Sequence, residues 1–316
     1  MSDKLRLGVS ACLLGRPVRY NGGHKLDHFL VDMLGPHVDF VPVCPEVECG
    51  LGVPRESLRL VGDPEAPRLV TTRTKRDMTD RMLEWARWRV DELAGDDLCG
   101  FVFKSRSPSS GMTRIKVYNE KGVPAPVGVG MFAREFMRRF PLLPVEDDGR
   151  LHDPGIRENF IERIFALRRW HDVARQAPSR GALVAFHTAH KLLILSHGQH
   201  FYRTMGKLVA EAKTIAPDRL FAQYETMLMD ALRVRATVAN HVNTMQHIAG
   251  HFKKDLSADE KQELGEVIAA YRAGHVPLIV PMTLLNHYVR KYNKAYLTDQ
   301  FYLRPHPLEL RLRNHA

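Results

Sequence analysis

The sequence predicts an α/β domain with a parallel or mostly parallel sheet flanked by helices, followed by an all-α domain. Residues 1–140 alternate short β-branched runs with amphipathic stretches, which is the pattern of an α/β domain. Over residues 157–296 the apolar side chains instead recur at helical spacing nearly throughout. The segment 141–155 between them is rich in proline, glycine and acidic residues, which indicates a break. We therefore predict domains over residues 1–145 and 155–316.

Each predicted element has a local signal. Strands are expected where short apolar runs are bounded by turn residues, at Leu5–Ser10, Phe40–Val43, Arg68–Thr72, Gly100–Phe103 and Val123–Val129. Helices of the first domain are expected where apolar residues recur every three or four positions, at Leu26–Met33, Thr79–Leu93 and Met131–Phe140. In the second domain Ser257 and Glu260 fit a capping box that begins a helix ending at Arg272.

The composition is that of a globular protein with enough apolar material for a core, with 316 residues of which 44% are hydrophobic and 26% charged. Every apolar run is shorter than the roughly 18 residues of a membrane span, and the N-terminus has no apolar stretch typical of a signal peptide. Four cysteines are too few for a disulfide framework in a chain of this length. We therefore expect a cytoplasmic protein with no membrane partner.

The charge is unevenly distributed. The formal net charge is +10. Lysine and arginine outnumber aspartate and glutamate by 23 to 21 in residues 1–150 and by 23 to 15 in residues 151–316. A basic excess of this kind favours a polyanionic partner such as nucleic acid, although many basic surfaces are simply solvated. The helical domain is therefore the predicted nucleic-acid-binding part.

Three cysteines follow predicted strands. Cys12 comes after the first strand, and Cys44 and Cys49 come after the second. A serine-rich segment, 105–111, follows the strand Gly100–Phe103. If these strands are parallel neighbours, the residues that follow them meet in one crevice, where open α/β sheets bind ligands. Soft thiolates in such a crevice indicate a metal or iron–sulfur centre, whereas two buried structural cysteines are the alternative for the Cys-x4-Cys pair.

Other residues near these strand ends have two interpretations each. Glu46, between two of the thiols, is either a general acid or base or an ordinary capping carboxylate. The serines either bind substrate or satisfy their own backbone. Gly128-Val-Gly130 either cradles a phosphate at a helix N-terminus or makes a tight turn. Cys99 precedes its strand, so it should lie at the opposite edge of the sheet and be structural.

Several segments resemble the thiouracil desulfidase family: Ser10-Ala-Cys-Leu-Leu-Gly15, Val18-Arg-Tyr20, Cys44-Pro-Glu46, Pro54-Arg55 and Lys104-Ser-Arg-Ser-Pro-Ser-Ser-Gly111. The helical extension resembles the fused form described as tRNA 4-thiouridine desulfidases. The resemblance implies a [4Fe-4S]-dependent enzyme that converts 4-thiouridine in tRNA to uridine with release of sulfide. Alternatives are a desulfidase of free thiouracil or a thionucleotide, and a non-catalytic iron–sulfur sensor that binds RNA.

The resemblance also implies a ligand set for the [4Fe-4S] cluster. Cys12 and Cys44 match two of the family's three cluster cysteines, which leave one iron open to bind the sulfur of the substrate. The third cysteine position falls at Ser110. Cys49 is therefore our predicted third ligand, because a hydroxyl is a poor donor to a soft iron–sulfur centre.

The resemblance to the thiouracil desulfidase family also implies the remaining residues of the site. Glu46 and Ser107 match the family's proposed catalytic carboxylate and hydroxyl, which would activate water and hold the base or its developing charge. The substrate-binding residues expected beside them are Arg19, Lys104, Ser109 and Ser110.

The helical domain contains two further patterns. Pairs of histidines at i, i+3 or i, i+4 spacing, such as His247 and His251, could chelate zinc but are expected to be core or RNA-facing residues. Tyr288, Tyr292 and Tyr296 form one helical stripe among cations. That stripe is either a packing surface or part of an RNA surface.

Overall fold

The structure is a computed structural model that describes residues 4–176 and 179–314. It divides into two compact units, Met1–Asp153 and Pro154–Ala316. The first unit is α/β and the second is helical, which confirms the predicted fold class. The predicted domain ends at residues 1 and 316 lie outside the described residues.

The strands of the first unit are all short. In chain order they are β1 (Leu5–Ser10), β2 (Val38–Val43), β3 (Leu58–Val61), β4 (Arg68–Thr71), β5 (Leu98–Phe103), β6 (Ile115–Tyr118), β7 (Pro124–Gly128) and β8 (Val145–Asp147). The helices of this unit are α1 (Pro45–Glu48), α2 (Thr79–Leu93) and α3 (Met131–Arg139).

The first sheet has the order β2-β1-β5-β8, and all of its strand pairs are parallel. Every residue of β5 is buried, as expected for an inner strand of a parallel sheet with a continuous apolar sequence. β1 lies close to β5 because Gly8 has no side chain, and a Cβ there would come within 2.2 Å of the Phe101 ring. The predicted neighbouring parallel strands are therefore present, and their C-terminal ends meet at one edge.

A second sheet, with the order β4-β3-β6-β7, was not predicted. β3 pairs antiparallel with β4 and parallel with β6, and β6 pairs antiparallel with β7. β3 and β6 have only four residues each, too short to show a clear alternation of apolar and polar side chains. Only β4 and β7 of this sheet match predicted strands.

Two other predictions need correction. The helix expected at Leu26–Met33 is a π-helical turn over Phe29–Leu34. The segment expected to be a linker contains β8, although its sequence Val-Glu-Asp is mostly charged. Glu146 and Asp147 can be buried there because Arg150 Nε donates to Glu146 Oε1 at 2.6 Å and Arg150 N donates to Asp147 Oδ1 at 2.9 Å.

The core of the first unit is aromatic. Phe101 and Phe103 of β5 pack against Phe132 and Phe136 of α3, with ring centroids between 4.4 and 6.2 Å apart among these four residues. Trp85 of α2 contacts Phe132 with centroids 5.5 Å apart. This cluster fixes α3 against the central strand, which matters for the site described below.

The second unit is a set of packed helices. They are α4 (Pro154–Gln176), α5 (Arg180–His197), α6 (Gln199–Ala210), α7 (Pro217–Arg233), α8 (Val238–Gly250), α9 (Ala258–Arg272), α10 (Ile279–Lys291) and α11 (Ala295–Thr298). The predicted capping box at Ser257 and Glu260 is present at the start of α9. None of the described helices combines the length and the apolarity that crossing a bilayer requires.

Several histidines and tyrosines of this unit pack internally, whereas His247 and His251 are exposed. His187 Nδ1 lies 3.1 Å from the Tyr224 hydroxyl, and both residues are buried. Tyr288 is only 2% exposed, and the Tyr292 hydroxyl donates to Glu260 at 2.6 Å. The packing interpretation of the tyrosine stripe therefore holds for these two rings. In residues 4–176 and 179–314, no three side chains of the usual metal-binding types converge on one point.

A buried ion pair links α4 to α5. His197 Nε2 lies 2.6 Å from Glu162 Oε1, and Arg313 Nη2 lies 3.6 Å from Glu162 Oε2. Burial opposes ionisation of both partners. The nearby positive charge of His197 nevertheless holds the pKa of Glu162 at about 2, and Glu162 raises the pKa of His197 above its ordinary value of 6.5.

This pair should make stability depend on pH. The contribution of Glu162 is complete above its unfolded pKa near 4.5 and is lost as the pH falls towards 2. The contribution of His197 is complete below 6.5 and is lost as the pH rises through its elevated pKa. We expect Glu162→Gln to lower the free energy of unfolding by about 3–5 kcal/mol at pH 6, and by less at pH 9.

Urea unfolding at the two pH values checks this expectation. Glu211→Gln, at an exposed ion pair with Lys207, is the matched control and should change stability by less than about 1 kcal/mol. Equal losses for Glu162→Gln at pH 6 and pH 9 would show that His197 does not change its ionisation state between these two pH values in the folded protein.

Candidate functional site

A cleft of about 910 Å³ lies at the C-terminal ends of β1, β2, β5 and β8. Segments that follow these strands line it, at residues 10–12, 43–46, 104–110 and 147–150. This is the edge at which open α/β sheets bind ligands. The predicted convergence of the three strand ends is therefore observed, and the unpredicted β8 adds a fourth.

Two thiols line the cleft. Cys12 lies in a 3₁₀ turn, Ala11–Leu14, directly after β1, and Cys44 is the residue before α1. Burial raises the pKa of the Cys12 thiol to about 11, although the positive charge of Lys104 opposes the shift. Burial also raises the pKa of Cys44. Both thiols are therefore neutral near pH 7 unless a metal or another cation stabilises the thiolate.

The third predicted thiol is placed differently. Cys49 is not among the residues that line the cleft; it is 7% exposed and belongs to the apolar cluster that includes Trp85. Its Sγ donates to the carbonyl oxygen of Glu46 at 3.4 Å. Ser110, where the family's third cysteine would fall, does line the cleft. The structure therefore does not support Cys49 as a ligand beside the other two thiols. The one-turn helix α1 turns its side chain towards the core.

This arrangement can be compared with the needs of an iron–sulfur cluster. Cys12 and Cys44 supply two soft donors on one wall of the cleft. Ser110 supplies only a hydroxyl, and Cys49 lies in the apolar cluster. The residues present do not complete a three-thiolate site.

Glu46 is held firmly at the same edge. Its Oε2 accepts a short hydrogen bond from Arg55 Nη2, and its Oε1 accepts one from Ser109 Oγ at 2.7 Å. Arg55 Nη1 in turn donates to the carbonyl oxygens of Val18 at 3.0 Å and Gly52 at 3.2 Å. The carboxylate of Glu46 is thus fixed by the Arg55 guanidinium, which backbone carbonyl groups hold in place in turn.

The serine hydroxyls have a defined direction. Ser107 Oγ accepts backbone N–H groups from Ser109 at 3.3 Å and from Ser110 at 3.0 Å, and it lies 3.0 Å from Ser109 Oγ. Ser109 has one hydroxyl hydrogen, which it donates to Glu46. The hydrogen between the two serines must therefore come from Ser107, so the chain of donors runs from Ser107 through Ser109 to Glu46.

The serine loop, 105–111, is anchored on the start of α3. Gly130 N donates to Gly111 O at 2.7 Å, Met131 N to Pro108 O at 3.2 Å, and Phe132 N to Ser109 O at 2.9 Å. The first N–H groups of the helix are therefore already used, and the phosphate-cradle interpretation of Gly128-Val-Gly130 is wrong. A Cβ at Gly130 would lie 2.6 Å from the backbone of Ser109, so glycine is needed for this approach.

Asp148 is a residue of the site that sequence reasoning missed, because it lies in the supposed linker. Its Oδ2 accepts from Lys104 Nζ at 2.7 Å and its Oδ1 accepts from Ser105 N at 2.6 Å. Burial would raise the pKa of Asp148, but the hydrogen bond from Lys104 outweighs it, so the pKa is lowered. The signal in the sequence was a run of three acidic residues, Glu146-Asp147-Asp148, shortly after a short apolar segment.

The structure brings most predicted site residues to one place. Those that line the cleft are Cys12, Arg19, Cys44, Glu46, Lys104, Ser107, Ser109 and Ser110. Cys49 is the exception, and Cys99 lies buried near the other end of β5, as expected from its position before the strand's apolar run.

The fold and the cleft define an α/β protein with a thiol-lined site, joined to a separate helical unit. Residues 7–148 match the family described as 2-thiouracil desulfurase, and residues 191–307 match a family of proteins of unknown function, DUF1722. The chain therefore belongs to the 2-thiouracil desulfurase family, in a fused form that also carries a DUF1722 region.

Two individual proteins are similar to parts of the chain. The uncharacterized protein YbgA of Escherichia coli (strain K12) is 33% identical over 158 residues, which cover 50% of this chain and 94% of that protein. A solved structure described as a [4Fe-4S]-dependent thiouracil desulfidase, TudS, is 30% identical. The match covers 48% of this chain and 95% of that one, with a TM-score of 0.39.

The placement of the cysteines predicts how variants will bind iron. Cys12→Ser and Cys44→Ser should each lower the iron affinity of anaerobically purified protein by about 10-fold or more, because each removes a soft donor from the cleft. Cys49→Ser should leave iron binding unchanged and lower the free energy of unfolding by about 1 kcal/mol. Ser110→Cys should retain more iron per chain, because it adds the missing thiol.

Iron analysis, the visible spectrum and urea unfolding of the four variants test this, with Cys99→Ser as the matched buried control. If Cys49→Ser lost iron as completely as Cys12→Ser, Cys49 would have to turn into the cleft when iron binds. The predicted ligand set of Cys12, Cys44 and Cys49 would then be restored.

Proposed function

We propose that this protein is a desulfidase that removes sulfur from a thiolated pyrimidine, and that its substrate is 4-thiouridine in tRNA, which it converts to uridine. The observation that carries the proposal is Glu46, fixed by Arg55 and Ser109 at a thiol-lined cleft. Membership of the 2-thiouracil desulfurase family supports the reaction class.

The proposed reaction is a hydrolysis. Water attacks the carbon of the thiocarbonyl group, a carbon–oxygen bond forms, and the carbon–sulfur bond breaks. The products are the carbonyl pyrimidine and hydrogen sulfide, so atoms balance and no electrons are exchanged. Glu46 takes the proton from the attacking water, because its carboxylate is held with a fixed orientation at the cleft.

The serines complete this arrangement. Ser109 is 1% exposed and donates to Glu46, so it positions the carboxylate rather than contacting substrate directly. Ser107 sends its hydrogen towards Ser109 and can turn it towards a bound base, where it would stabilise the charge that develops on the ring or on sulfur.

An iron–sulfur centre is the proposed cofactor, as the resemblance implies. On this chain Cys12 and Cys44 are its candidate ligands, and the third ligand position lacks a thiol. The proton transfer assigned to Glu46 and the hydrogen bonds assigned to the serines do not involve the centre.

The choice of tRNA over a free base rests on charge. The second half of the chain has 23 basic against 15 acidic residues, and a polyanion is the partner that such an excess favours. Substrate comparison is the test. Anaerobically reconstituted protein should remove the near-ultraviolet absorbance of 4-thiouridine from bulk tRNA, and should act at least about 10-fold less efficiently on free 4-thiouracil.

Each result of this comparison has a distinct meaning. Turnover of free 4-thiouracil alone would keep the desulfidase and reject tRNA. Loss of sulfur from neither substrate, with iron and RNA still bound, would reject the enzyme in favour of an iron–sulfur sensor.

Glu46 should be indispensable. We expect Glu46→Gln to lower kcat by about 10²–10⁴-fold, the usual range for loss of a general base, while uridine binding changes little. Ser109→Ala should have a smaller effect on kcat, because Arg55 still holds the carboxylate. Glu84→Gln, on the exposed face of α2, is the control and should leave kcat unchanged. Full activity of Glu46→Gln would remove the basis of the mechanism.

A further inference from the structure

The walls of the cleft carry more positive than negative charge. Seven lysine or arginine residues line it, against three carboxylates. Three of the cations are already paired, through Arg55 with Glu46, Lys104 with Asp148, and Arg150 with Glu146. Of the three lining carboxylates, Glu46 and Asp148 are used by these pairs, and Asp147 Oδ1 accepts from Arg150 N. The remaining cations therefore determine what else the cleft can bind.

Four cations of the cleft have no carboxylate partner among the described residues: Arg19, Lys25, Arg106 and Arg114. Arg106 and Arg114 differ from the other two in position. Both are exposed residues, and they stand on either side of the segment 107–113, which contains Ser107 and Ser110. The serine segment of the cleft is therefore flanked in the chain by two exposed arginines that also line the cleft.

The backbone at these two arginines is unusual. Arg106 has φ 59° and Arg114 has φ 53°, in the left-handed region that non-glycine residues rarely adopt. The loop between them is fixed, because Gly111 N donates to Ser107 O at 2.8 Å and Gly130 N donates to Gly111 O at 2.7 Å. The backbone positions of the two arginines are thus fixed by a rigid loop. Their side chains have no ion-pair partner in the part of the chain that the structure describes.

The size of the cleft also favours a ligand larger than a single pyrimidine ring. At about 910 Å³ it approaches the upper end of the usual range for small-molecule sites, roughly 300–1,000 Å³. A single pyrimidine ring would fill only part of it, even beside the proposed iron–sulfur centre, and carries no negative charge to pair with Arg106 and Arg114. A pyrimidine that carries a sugar and phosphate would use both the space and the charge.

We infer that Arg106 and Arg114 are specificity-determining residues that bind phosphate groups attached to the thiolated pyrimidine. Guanidinium groups bind phosphate oxygens through two parallel hydrogen bonds, which gives orientation as well as affinity. The inference rests on the proposed function for the identity of the base. The phosphate belongs either to a free nucleotide or to RNA. Two separate exposed cations that line one cleft suit a chain with more than one phosphate group.

Binding of ligands that lack sulfur tests the inference without any turnover. The probes are uridine, uridine 5′-monophosphate and a short single-stranded oligouridylate, titrated into the full-length protein and into Arg106→Gln, Arg114→Gln and the double variant. We expect each single variant to bind the oligouridylate about 10-fold more weakly, with uridine binding unchanged. The slope of log K against log salt should fall by about 0.7 for each phosphate group that a variant no longer binds.

Two controls keep the result interpretable. Lys75→Gln removes an exposed cation that also has a positive φ, 57°, but does not line the cleft, and it should bind all probes like the unsubstituted protein. Arg106→Lys keeps the charge and should recover part of the affinity that Arg106→Gln loses. Thermal unfolding of each variant confirms that the loop remains folded.

The probes also separate the two sources of phosphate. Loss of oligouridylate affinity in both variants, with uridine 5′-monophosphate affected by only one of them, supports RNA. Equal losses for uridine 5′-monophosphate, with no tighter binding of the oligouridylate, support a free nucleotide. Unchanged phosphate binding in the double variant overturns the inference.

Failure of the proposed function would look different. If the arginine variants lost phosphate affinity but the unsubstituted protein desulfurated no thiopyrimidine, the phosphate site would stand and the enzyme assignment would fall.

Discussion

The close packing of the serine loop against the start of α3 is the constraint on which the site depends. Three backbone N–H groups, from Gly130 directly before the helix and from Met131 and Phe132 within it, are satisfied by carbonyl groups of the loop. Helix N-termini normally need water or a capping side chain for these groups. Here the loop serves as the cap, and its position is thereby tied to α3 and to the aromatic core beneath. Ser109 consequently meets Glu46 from a segment 63 residues away.

The same constraint explains how a rigid site is built from loops. Glu46 belongs to a one-turn helix, which could not hold a carboxylate steady by itself. Arg55 fixes it from one side and Ser109 from the other, and both of those partners are anchored by backbone hydrogen bonds. Removing water from around such a carboxylate strengthens its interactions and reduces its reorganisation during a proton transfer.

The sequence predicted the features that are repetitive or local. The parallel strands β1, β2 and β5 and the capping box of α9 follow from short-range patterns, and they appeared as expected. β8 was missed because its buried charges are stabilised by Arg150, a partner that periodicity does not reveal. Cys49 was predicted to lie in the cleft because it follows the second strand and because Ser110 occupies the expected position of the third cysteine. The direction of a side chain at the end of a one-turn helix depends on tertiary packing, which the position of a residue after a strand does not show.

The excess positive charge of the cleft helps at more than one stage of the proposed chemistry. Burial raises the pKa of both cleft thiols, so any metal bound there must compete with protons unless nearby cations favour the thiolates. Lys104 and Arg19 lower the pKa of Cys12 in this sense. The leaving group of the reaction is also an anion, hydrosulfide, until it is protonated. Cations that bind phosphate and favour the thiolate would therefore also stabilise the departing sulfur. The same positive charge of the cleft would then support substrate binding, ionisation of the thiol ligands and release of the product.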